Sequence, residues 1–187
     1  MDRAERFSEL YQTQYDAVLS YAWRRTDPET ARDVVAETFL VAWRRLDAVP
    51  ADREQARPWL YGVARRVLAN AERSRRRAER VTAKLSQQHR DGHAPDTATE
   101  VTQRARLDRA LASLTASDQE ALRLVGWEEL DLAEAALAMG CSRSAMAVRL
   151  HRARRRLERA LATGGGPERT PAARPVPPAR AVSQETP

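Results

Sequence analysis

Arginine side chains are concentrated between residues 131 and 161, where their guanidinium groups could bind phosphates and the edges of bases. This stretch starts with a short segment in which apolar residues recur at helical spacing, namely Leu132, Ala135, Ala136 and Met139. Gly140 can then adopt the left-handed conformation that ends a helix, and Ser142 can cap the next one. Two helices joined by such a turn predict a helix-turn-helix, whose second helix lies in the major groove of DNA.

The second helix of this pair has an apolar stripe and a polar, basic remainder. Its inward stripe consists of Met146, Leu150, Ala153 and Leu157. The other faces carry Arg143, Ser144, Ala147, Val148, His151, Arg152 and Arg155. A solvated surface helix would also be rich in charge, but here the turn residues and the one-sided arginines coincide. The pattern therefore favours DNA binding.

Composition agrees with a helical protein that has an anionic partner. The 187 residues include 32 basic and 26 acidic side chains, which gives a formal net charge of +6, and Lys84 is the only lysine. Strand-forming aromatic residues are scarce, so we expect an all-α fold. Basicity alone would also suit a membrane surface or an acidic protein.

Other kinds of chemistry find little support in the sequence. His89 and His93 have the spacing of two metal ligands on a helix, but Gly92 and Pro95 interrupt any helix there, and we expect no metal. Cys141 is the only cysteine, which excludes an intramolecular disulfide and favours a structural thiol in the turn. Phosphate-binding glycine loops and nucleophile motifs are missing, so neither catalysis nor a cofactor is expected. Without a signal core or a membrane span, the expected location is cytoplasmic, with no membrane insertion.

Apolar periodicity divides the chain into two small helical domains joined by a flexible linker, the second ending in the helix-turn-helix. Helices are predicted over residues 7–25 and 29–46, followed by one that starts near Pro58 and runs into a basic cluster. In the second domain, Ser117 and Glu120 have the spacing of a capping box. The predicted boundaries are 5–80 for the first domain, 81–103 for the linker, 104–162 for the second domain and 163–187 for a disordered, proline- and alanine-rich tail.

Two separated segments resemble the bacterial RNA polymerase sigma factors of the extracytoplasmic-function type. The first is DPETARDVVAETFLVAWRRL (27–46) followed by RPWLYGVARRVLANAERSRRR (57–77), and the second is LTASDQEALRL (114–124) with the helix-turn-helix. The resemblance implies that the 27–46 helix docks on the clamp helices of the polymerase β′ subunit. It also implies that the next helix lies against the minus-ten promoter element. The second domain would then bind the minus-thirty-five element and the polymerase β flap.

The resemblance also assigns roles to particular residues. The polymerase-binding set is Asp33, Ala36, Glu37, Phe39 and Trp43, although Phe39 and Trp43 fit a core stripe equally well. The minus-ten set is Val63, Arg65, Arg66, Val67, Asn70, Arg73, Arg75, Arg76 and Arg77. The minus-thirty-five set is Arg143, Ser144, Ala147, Val148, Arg149, His151, Arg152 and Arg155. Many members have Ala-Arg-Asn where this chain has Ala64-Arg65-Arg66, which leaves the preferred minus-ten base open. Trp59 and Tyr61 could act as melting wedges, but a core role is favoured for Trp59.

The resulting hypothesis is a promoter-specificity subunit without catalytic residues. Its expected partners are core RNA polymerase, promoter DNA and an anti-sigma factor. The main alternative is a stand-alone helix-turn-helix regulator that binds a palindromic operator without polymerase. A helical RNA-binding protein is a third reading, which would explain the arginines but not the turn at Gly140.

Overall fold

The computed structural model describes residues 2–83 and 100–163, which form seven α-helices, one short 3-10 helix and no strand. The predicted all-α fold is confirmed for these residues. The helices are α1 (Arg3–Trp23), α2 (Pro28–Arg44), α3 (Arg53–Ala83), α4 (Glu100–Ala112), α5 (Ala116–Gly126), α6 (Leu132–Met139) and α7 (Arg143–Thr163), with the 3-10 helix at Leu46–Ala48. None of the described helices is both long and apolar enough to cross a membrane.

The first three helices pack against one another to form the N-terminal domain. As predicted, α2 begins where Asp27 and Pro28 interrupt the chain. The Asp27 side chain accepts hydrogen bonds from the backbone N–H groups of Glu29 and Thr30, and Pro28 occupies the first turn, where no N–H partner is needed. Hydrogen bonds from Thr30 lower the Asp27 pKa to about 2. The bond from the Thr30 backbone N–H has the largest effect, and the bond from the Thr30 side chain comes next.

The start of α3 differs from the prediction. The helix begins at Arg53 rather than near Pro58, because Asp52 provides an effective cap. The Asp52 carboxylate accepts from the Glu54 N–H at 2.9 Å, and the Asp52 carbonyl accepts from the Ala56 N–H at 2.9 Å. Pro58 therefore lies inside α3 as its sixth residue, where it lacks the N–H that would bond to the Glu54 carbonyl.

Helices α4 to α7 form the C-terminal domain, and its helix-turn-helix agrees with the prediction. Asp131 and Glu134 form a capping box at the start of α6, and Gly140 ends that helix in the left-handed conformation with φ of 65°. The Ser142 hydroxyl accepts from the Ala145 N–H at 3.2 Å and thus caps α7. Cys141 is half-buried and packs against the core, as expected for a structural thiol.

The predicted capping box of Ser117 and Glu120 is wrong. The cap of α5 is Thr115, whose hydroxyl accepts from the Asp118 N–H at 3.2 Å. The Glu120 carboxylate instead bonds to Tyr21 and Arg25 of the N-terminal domain. A long-range charge interaction has thus replaced the local one that the sequence pattern indicated.

One hydrophobic core runs through both domains. It includes Val34 and Leu60 of the N-terminal domain together with Leu124, Ala138 and Met146 of the C-terminal domain. Helices α3 and α6 pack directly against each other across the domain boundary. Helix α3 continues to Ala83 and α4 begins at Glu100, so helices enter both ends of the range assigned to the linker. The predictions for His89, His93 and the tail fall outside the described residues.

Candidate nucleic-acid interface

The exposed face of α7 carries most of the residues assigned to the minus-thirty-five element. Six of them are exposed: Arg143, Ser144, Val148, His151, Arg152 and Arg155. Ala147 and Arg149 are half-buried at the edges of this face. Val148 is 50% exposed, which is unusual for an apolar side chain and leaves its methyl groups free to contact a thymine methyl. The opposite side of α7 buries Met146, Leu150 and Ala153 in the core.

Two polar contacts anchor α7 to the rest of its domain. Arg156 forms an ion pair with the buried carboxylate of Asp118 on α5. Arg106 of α4 donates a hydrogen bond to the carbonyl of Leu161 at 2.6 Å, near the end of α7. Neither contact involves a residue of the minus-thirty-five set, although Arg156 follows Arg152 by one helical turn and lies on the same side of α7. They hold the helix in place and leave the assigned side chains unpaired by these two contacts.

The second half of α3 presents a basic surface. Exposed here are Arg66, Asn70, Arg73, Arg75, Arg76 and Arg77. Glu72 accepts hydrogen bonds from Arg76 at 2.5 Å and from Arg75 at distances down to 2.8 Å, and the bonds from these two arginines lower the Glu72 pKa. Arg75 also pairs with Glu79. Such exposed pairs are weak, so the arginines can exchange carboxylate for phosphate at little cost.

Three residues of the minus-ten set are less accessible than the resemblance implies. Val63 is only 2% exposed and Val67 is half-buried against the core. Arg65 donates to the carbonyls of Ala138 and Met139, both at 3.3 Å, and so holds the end of α6. Next to it, the Arg66 pKa is lowered by partial burial and by the neighbouring charges of Arg65 and Arg45.

Helix α2 exposes a continuous face that contains most of the predicted polymerase-binding set. Asp33, Ala36 and Glu37 are exposed, and Trp43 is 38% exposed. Phe39, in contrast, is buried, with its ring centroid 4.7 Å from that of Tyr11. Phe39 therefore belongs to the core, which was one of the two alternatives that the sequence left open.

The Trp43 ring is fixed in place at the edge of this face. It packs edge-on against Phe7, with ring centroids 5.1 Å apart, and the Arg3 guanidinium lies 5.2 Å from its centroid. Sequence reasoning missed Leu40, which is 40% exposed on the same face. A large apolar side chain beside exposed carboxylates could have indicated it. Trp59 packs against the core, as favoured, and Tyr61 is buried with its ring stacked on Tyr21.

A cluster of buried charges joins the two domains, and no sequence pattern predicted it. Arg25, in the turn after α1, donates to Glu120 at 3.0 Å and to Glu128 at 2.8 Å, with only 5% of its side chain exposed. Arg24 also pairs with Glu128. Tyr21 donates to Glu120 at 2.7 Å, and its pKa is well above the ordinary value because of burial and the nearby Glu120 charge. These partners are about a hundred residues apart in sequence, so no local signal could have found them.

Together these features define an all-α, two-domain nucleic-acid-binding protein with a helix-turn-helix in the second domain. No cluster of His, Cys, Asp and Glu suited to a metal ion occurs within the described part of the chain. The family profile of Sigma-70 region 2 matches residues 10–78, and that of Sigma-70, region 4 matches residues 104–157. The two profiles coincide with the two structural domains.

Comparison with individual proteins agrees with these profiles. The chain is 32% identical over 161 residues to the ECF RNA polymerase sigma factor BldN of Streptomyces coelicolor; the match covers 84% of this chain and 61% of BldN. It is 30% identical over 156 residues to the RNA polymerase sigma-E factor of Streptomyces avermitilis; the match covers 83% of this chain and 84% of that factor. The fold resembles that of the sigma factor RpoE from Bartonella quintana, solved with the anti-sigma factor NepR. There the TM-score is 0.60 with 23% identity, covering 83% of this chain and 96% of RpoE.

The chain therefore belongs to the ECF (extracytoplasmic-function) RNA polymerase sigma factors of the sigma-70 family. Its function is that of a promoter-specificity factor, which acts with RNA polymerase on promoter DNA.

Proposed function

We propose that the chain divides this function between its domains in a defined way. The N-terminal domain binds core polymerase through the exposed face of α2 and contacts the minus-ten element through the basic face of α3. The C-terminal domain binds the minus-thirty-five element through α7 and contacts the polymerase β flap. The observation that carries the proposal is the separation of these exposed surfaces onto three different helices, each positioned by a buried face.

The α2 face suits a protein partner. Exposed carboxylates at Asp33 and Glu37 lie beside exposed apolar groups at Leu40 and Trp43. A desolvated aromatic anchor surrounded by polar contacts is a common arrangement in protein interfaces, and the acidic pair would complement a basic partner. Because Phe39 is buried, we assign it to positioning α2 and not to direct contact.

The α3 and α7 faces suit DNA. Arginine is well adapted to bidentate contacts with guanine and to phosphate, and both faces carry several exposed arginines. We propose that Arg152 reads a base edge or binds a phosphate, while Arg143, Arg149 and Arg155 position α7. On α3, Arg73, Arg75, Arg76 and Arg77 would bind backbone phosphates.

The mechanism proposed is recruitment, without a reaction catalysed by this chain and without a cofactor. The chain would act in the cytoplasm, where its polymerase partner works. An anti-sigma factor is a further proposed partner, on the model of RpoE and NepR. Affinity purification from native cells should then return a partner other than polymerase subunits; recovery of polymerase alone would count against an anti-sigma factor.

Co-elution with bacterial core RNA polymerase on size exclusion tests the docking surface. The variant Asp33→Arg/Glu37→Arg should abolish the complex, because it reverses both charges on the α2 face. A matched control is Glu9→Arg/Asp16→Arg, which makes the same change in net charge at two exposed carboxylates of α1. The control should co-elute like the unmodified chain.

Each outcome of this experiment is informative. Loss of the complex in the α2 variant alone supports the assignment of Asp33 and Glu37. A complex retained by both variants would place the docking surface elsewhere. Failure of the unmodified chain to bind core polymerase at micromolar concentration would contradict the proposed recruitment itself.

A further inference from the structure

We propose that the cleft between α3 and α5 is a binding site for a compact oligophosphate, either an inorganic polyphosphate or the triphosphate group of a nucleotide. The cleft has a volume of about 780 Å³, and its described lining comes mainly from α3, α5 and the start of α2. The groups that would recognise the ligand lie chiefly on α5, to which the proposed function assigns no promoter contact. The inference therefore goes beyond promoter recognition.

Two helix faces form the walls of this cleft. Ala116 and Arg123 of α5 both line it and are seven residues apart, and Leu68, Glu72 and Arg76 of α3 recur at helical spacing on the other side. Seven residues of helix span about 10 Å. A wall of that length is longer than one phosphate group needs and suits several phosphates linked in a chain.

The lining of the cleft carries an excess of positive charge. It contains five arginines against three carboxylates, and each carboxylate already has a hydrogen-bond donor. Asp27 accepts from the backbone of α2, Glu72 accepts from arginines of α3, and Glu120 accepts from Tyr21 and Arg25. The arginines are Arg25, Arg65, Arg75, Arg76 and Arg123. The net charge of the cleft thus favours an anion.

Arg123 is the cation of this cleft that lacks a partner. Its Nε is buried and has no hydrogen-bond acceptor in the described part of the chain. Burial, followed by the neighbouring charge of Arg25, lowers the Arg123 pKa, so the folded protein holds this guanidinium at an electrostatic cost. An anionic oxygen in the cleft would supply the missing acceptor through a charge-assisted hydrogen bond.

The N-terminus of α5 adds neutral donors to the same wall. The Thr115 hydroxyl accepts from the Asp118 N–H, whereas the N–H groups of Ala116 and Ser117 precede the first intrahelical bond and have no acceptor within the helix. Ala116 and Ser117 both line the cleft. Free N–H groups and the helix dipole together favour phosphate at such a position. One face of α5 therefore offers backbone donors at its start and the Arg123 guanidinium two turns later.

Close contacts fix the walls relative to each other. A Cβ atom added at Gly62 of α3 would lie 3.2 Å from the carbonyl oxygen of Ala138 on α6, and the adjacent Met139 lines the cleft. Near the other wall, the buried Arg25 guanidinium donates to Glu120 of α5 at 3.0 Å. A site whose walls are held in this way loses little conformational freedom when a ligand enters it.

Isothermal titration calorimetry of the full chain with inorganic tripolyphosphate, in buffer without Mg²⁺, tests the site. We expect saturable binding to one site per chain. Arg123→Gln should weaken this binding by roughly tenfold or more, because it removes the cation that lacks a partner. The matched control is Arg109→Gln, which removes one charge at an exposed arginine of α4 and should bind like the unmodified chain.

A second variant, Ala116→Pro, removes a backbone donor without changing the charge. Proline is well tolerated at the first position of a helix, and Thr115 before it already has the extended conformation that proline requires, with φ of −63° and ψ of 149°. We expect this variant to bind tripolyphosphate several-fold more weakly than the unmodified chain. Far-UV circular dichroism of each variant checks that the helices are retained.

Titrations with ATP and with adenosine identify the source of the phosphates. Similar affinities for tripolyphosphate and ATP, without binding of adenosine, would support recognition of the phosphate chain alone. Tighter binding of ATP, again lost in Arg123→Gln, would support a nucleotide site. Binding of adenosine as tight as that of ATP would overturn the proposal, because the phosphates would then contribute nothing.

Three further results would also overturn it. The unmodified chain could fail to bind either phosphate compound at millimolar concentration. Arg123→Gln and Arg109→Gln could lose affinity equally, which would mean that net charge alone attracts the anion. Finally, single-stranded DNA could bind in an Arg123-dependent way while tripolyphosphate does not, in which case the cleft takes nucleic acid and not a compact oligophosphate.

Discussion

At the scale of single residues, exposure separates the side chains that can bind a partner from those that only position them. Phe39 and Trp43 lie one helical turn apart on α2, yet the first is 3% exposed and the second 38%. On α3, Arg66 is exposed while Arg65 is engaged by α6. Similar side chains at nearby positions thus have different roles because of what packs against them.

Replacing Arg152 by alanine should weaken binding to a promoter fragment that contains the minus-thirty-five element. A lost bidentate contact costs about 1–3 kcal/mol, or roughly five- to 150-fold in affinity. The holoenzyme's affinity, measured by fluorescence anisotropy, checks this. Arg154→Ala is the control, because Arg154 is exposed on the other side of α7. Equal losses in both variants would contradict a specific role for Arg152.

Tyr61 should make the stability of the protein depend on alkaline pH. Burial, assisted by the Glu128 charge, raises the Tyr61 pKa from 10.0 to about 12. The folded state therefore favours the neutral phenol, and this contribution is complete below pH 10 and is lost as the pH rises through about 12. It amounts to on the order of 2 kcal/mol.

Denaturant unfolding at a series of pH values tests this prediction. Tyr61→Phe should unfold with a smaller loss of stability between pH 10 and 12 than the unmodified chain, since phenylalanine has no proton to lose. Tyr15→Phe is a control at a partly exposed ring. Identical pH dependence in the unmodified chain and Tyr61→Phe would refute the assignment.

At the scale of elements, helix ends decide where the candidate surfaces lie. Asp27, Asp131 and Ser142 cap the helices that carry or support these surfaces, and each can be recognised in the sequence. The turn between α6 and α7 depends on Gly140, whose φ of 65° sets the direction in which α7 leaves. The direction in which the basic face of α7 points therefore depends on the backbone conformation of Gly140.

Gly140→Ala should destabilise the C-terminal domain. An alanine in the left-handed region costs about 1–2 kcal/mol, and no neighbouring atom compensates. Chemical unfolding followed by circular dichroism measures the loss. Gly126→Ala should be neutral or slightly stabilising, because that site is open and lies at the end of α5. An equally stable Gly140→Ala protein would show that the turn tolerates another geometry.

At the scale of the whole molecule, the two domains share one core and one buried charge cluster, and thus should melt together. The contrast with surface pairs is clear: Arg3 and Asp47 lie 3.8 Å apart with the Asp47 side chain 92% exposed. A pair of that kind contributes well under about 1 kcal/mol. Cooperativity between the domains must therefore come from the buried interface.

Glu128→Ala should uncouple the domains. It leaves the Arg25 guanidinium with one carboxylate partner instead of two, in a site closed to water. Differential scanning calorimetry of the unmodified chain should show one unfolding transition, whereas the variant should show two. The Tm of the lower transition should fall by roughly 4–8 °C for each kcal/mol of stability lost. The control Asp47→Ala should retain the single transition. Two transitions in the unmodified chain would mean that the interface does not couple the domains.

The sequence alone determined the local features of this protein. Helical periodicity, caps and the Gly140 turn are interactions between residues close in the chain, so the all-α fold and the arginine face of α7 could be predicted from spacing. Two local predictions failed for different reasons. The start of α3 was placed too late because Asp52, a local cap, begins the helix ahead of Pro58. The capping box at Glu120 failed because a distant residue, Arg25, binds that carboxylate.

Only the tertiary structure decided which predicted site residues are free. The burial of Phe39, the engagement of Arg65 and the cluster of Arg25 with Glu120 and Glu128 all depend on contacts between residues far apart in sequence. The close approach at Gly62 is likewise invisible until α6 is placed beside it. The physical reason is that burial and long-range ion pairing are properties of the packed assembly of helices, whereas helix formation and capping are properties of the chain itself.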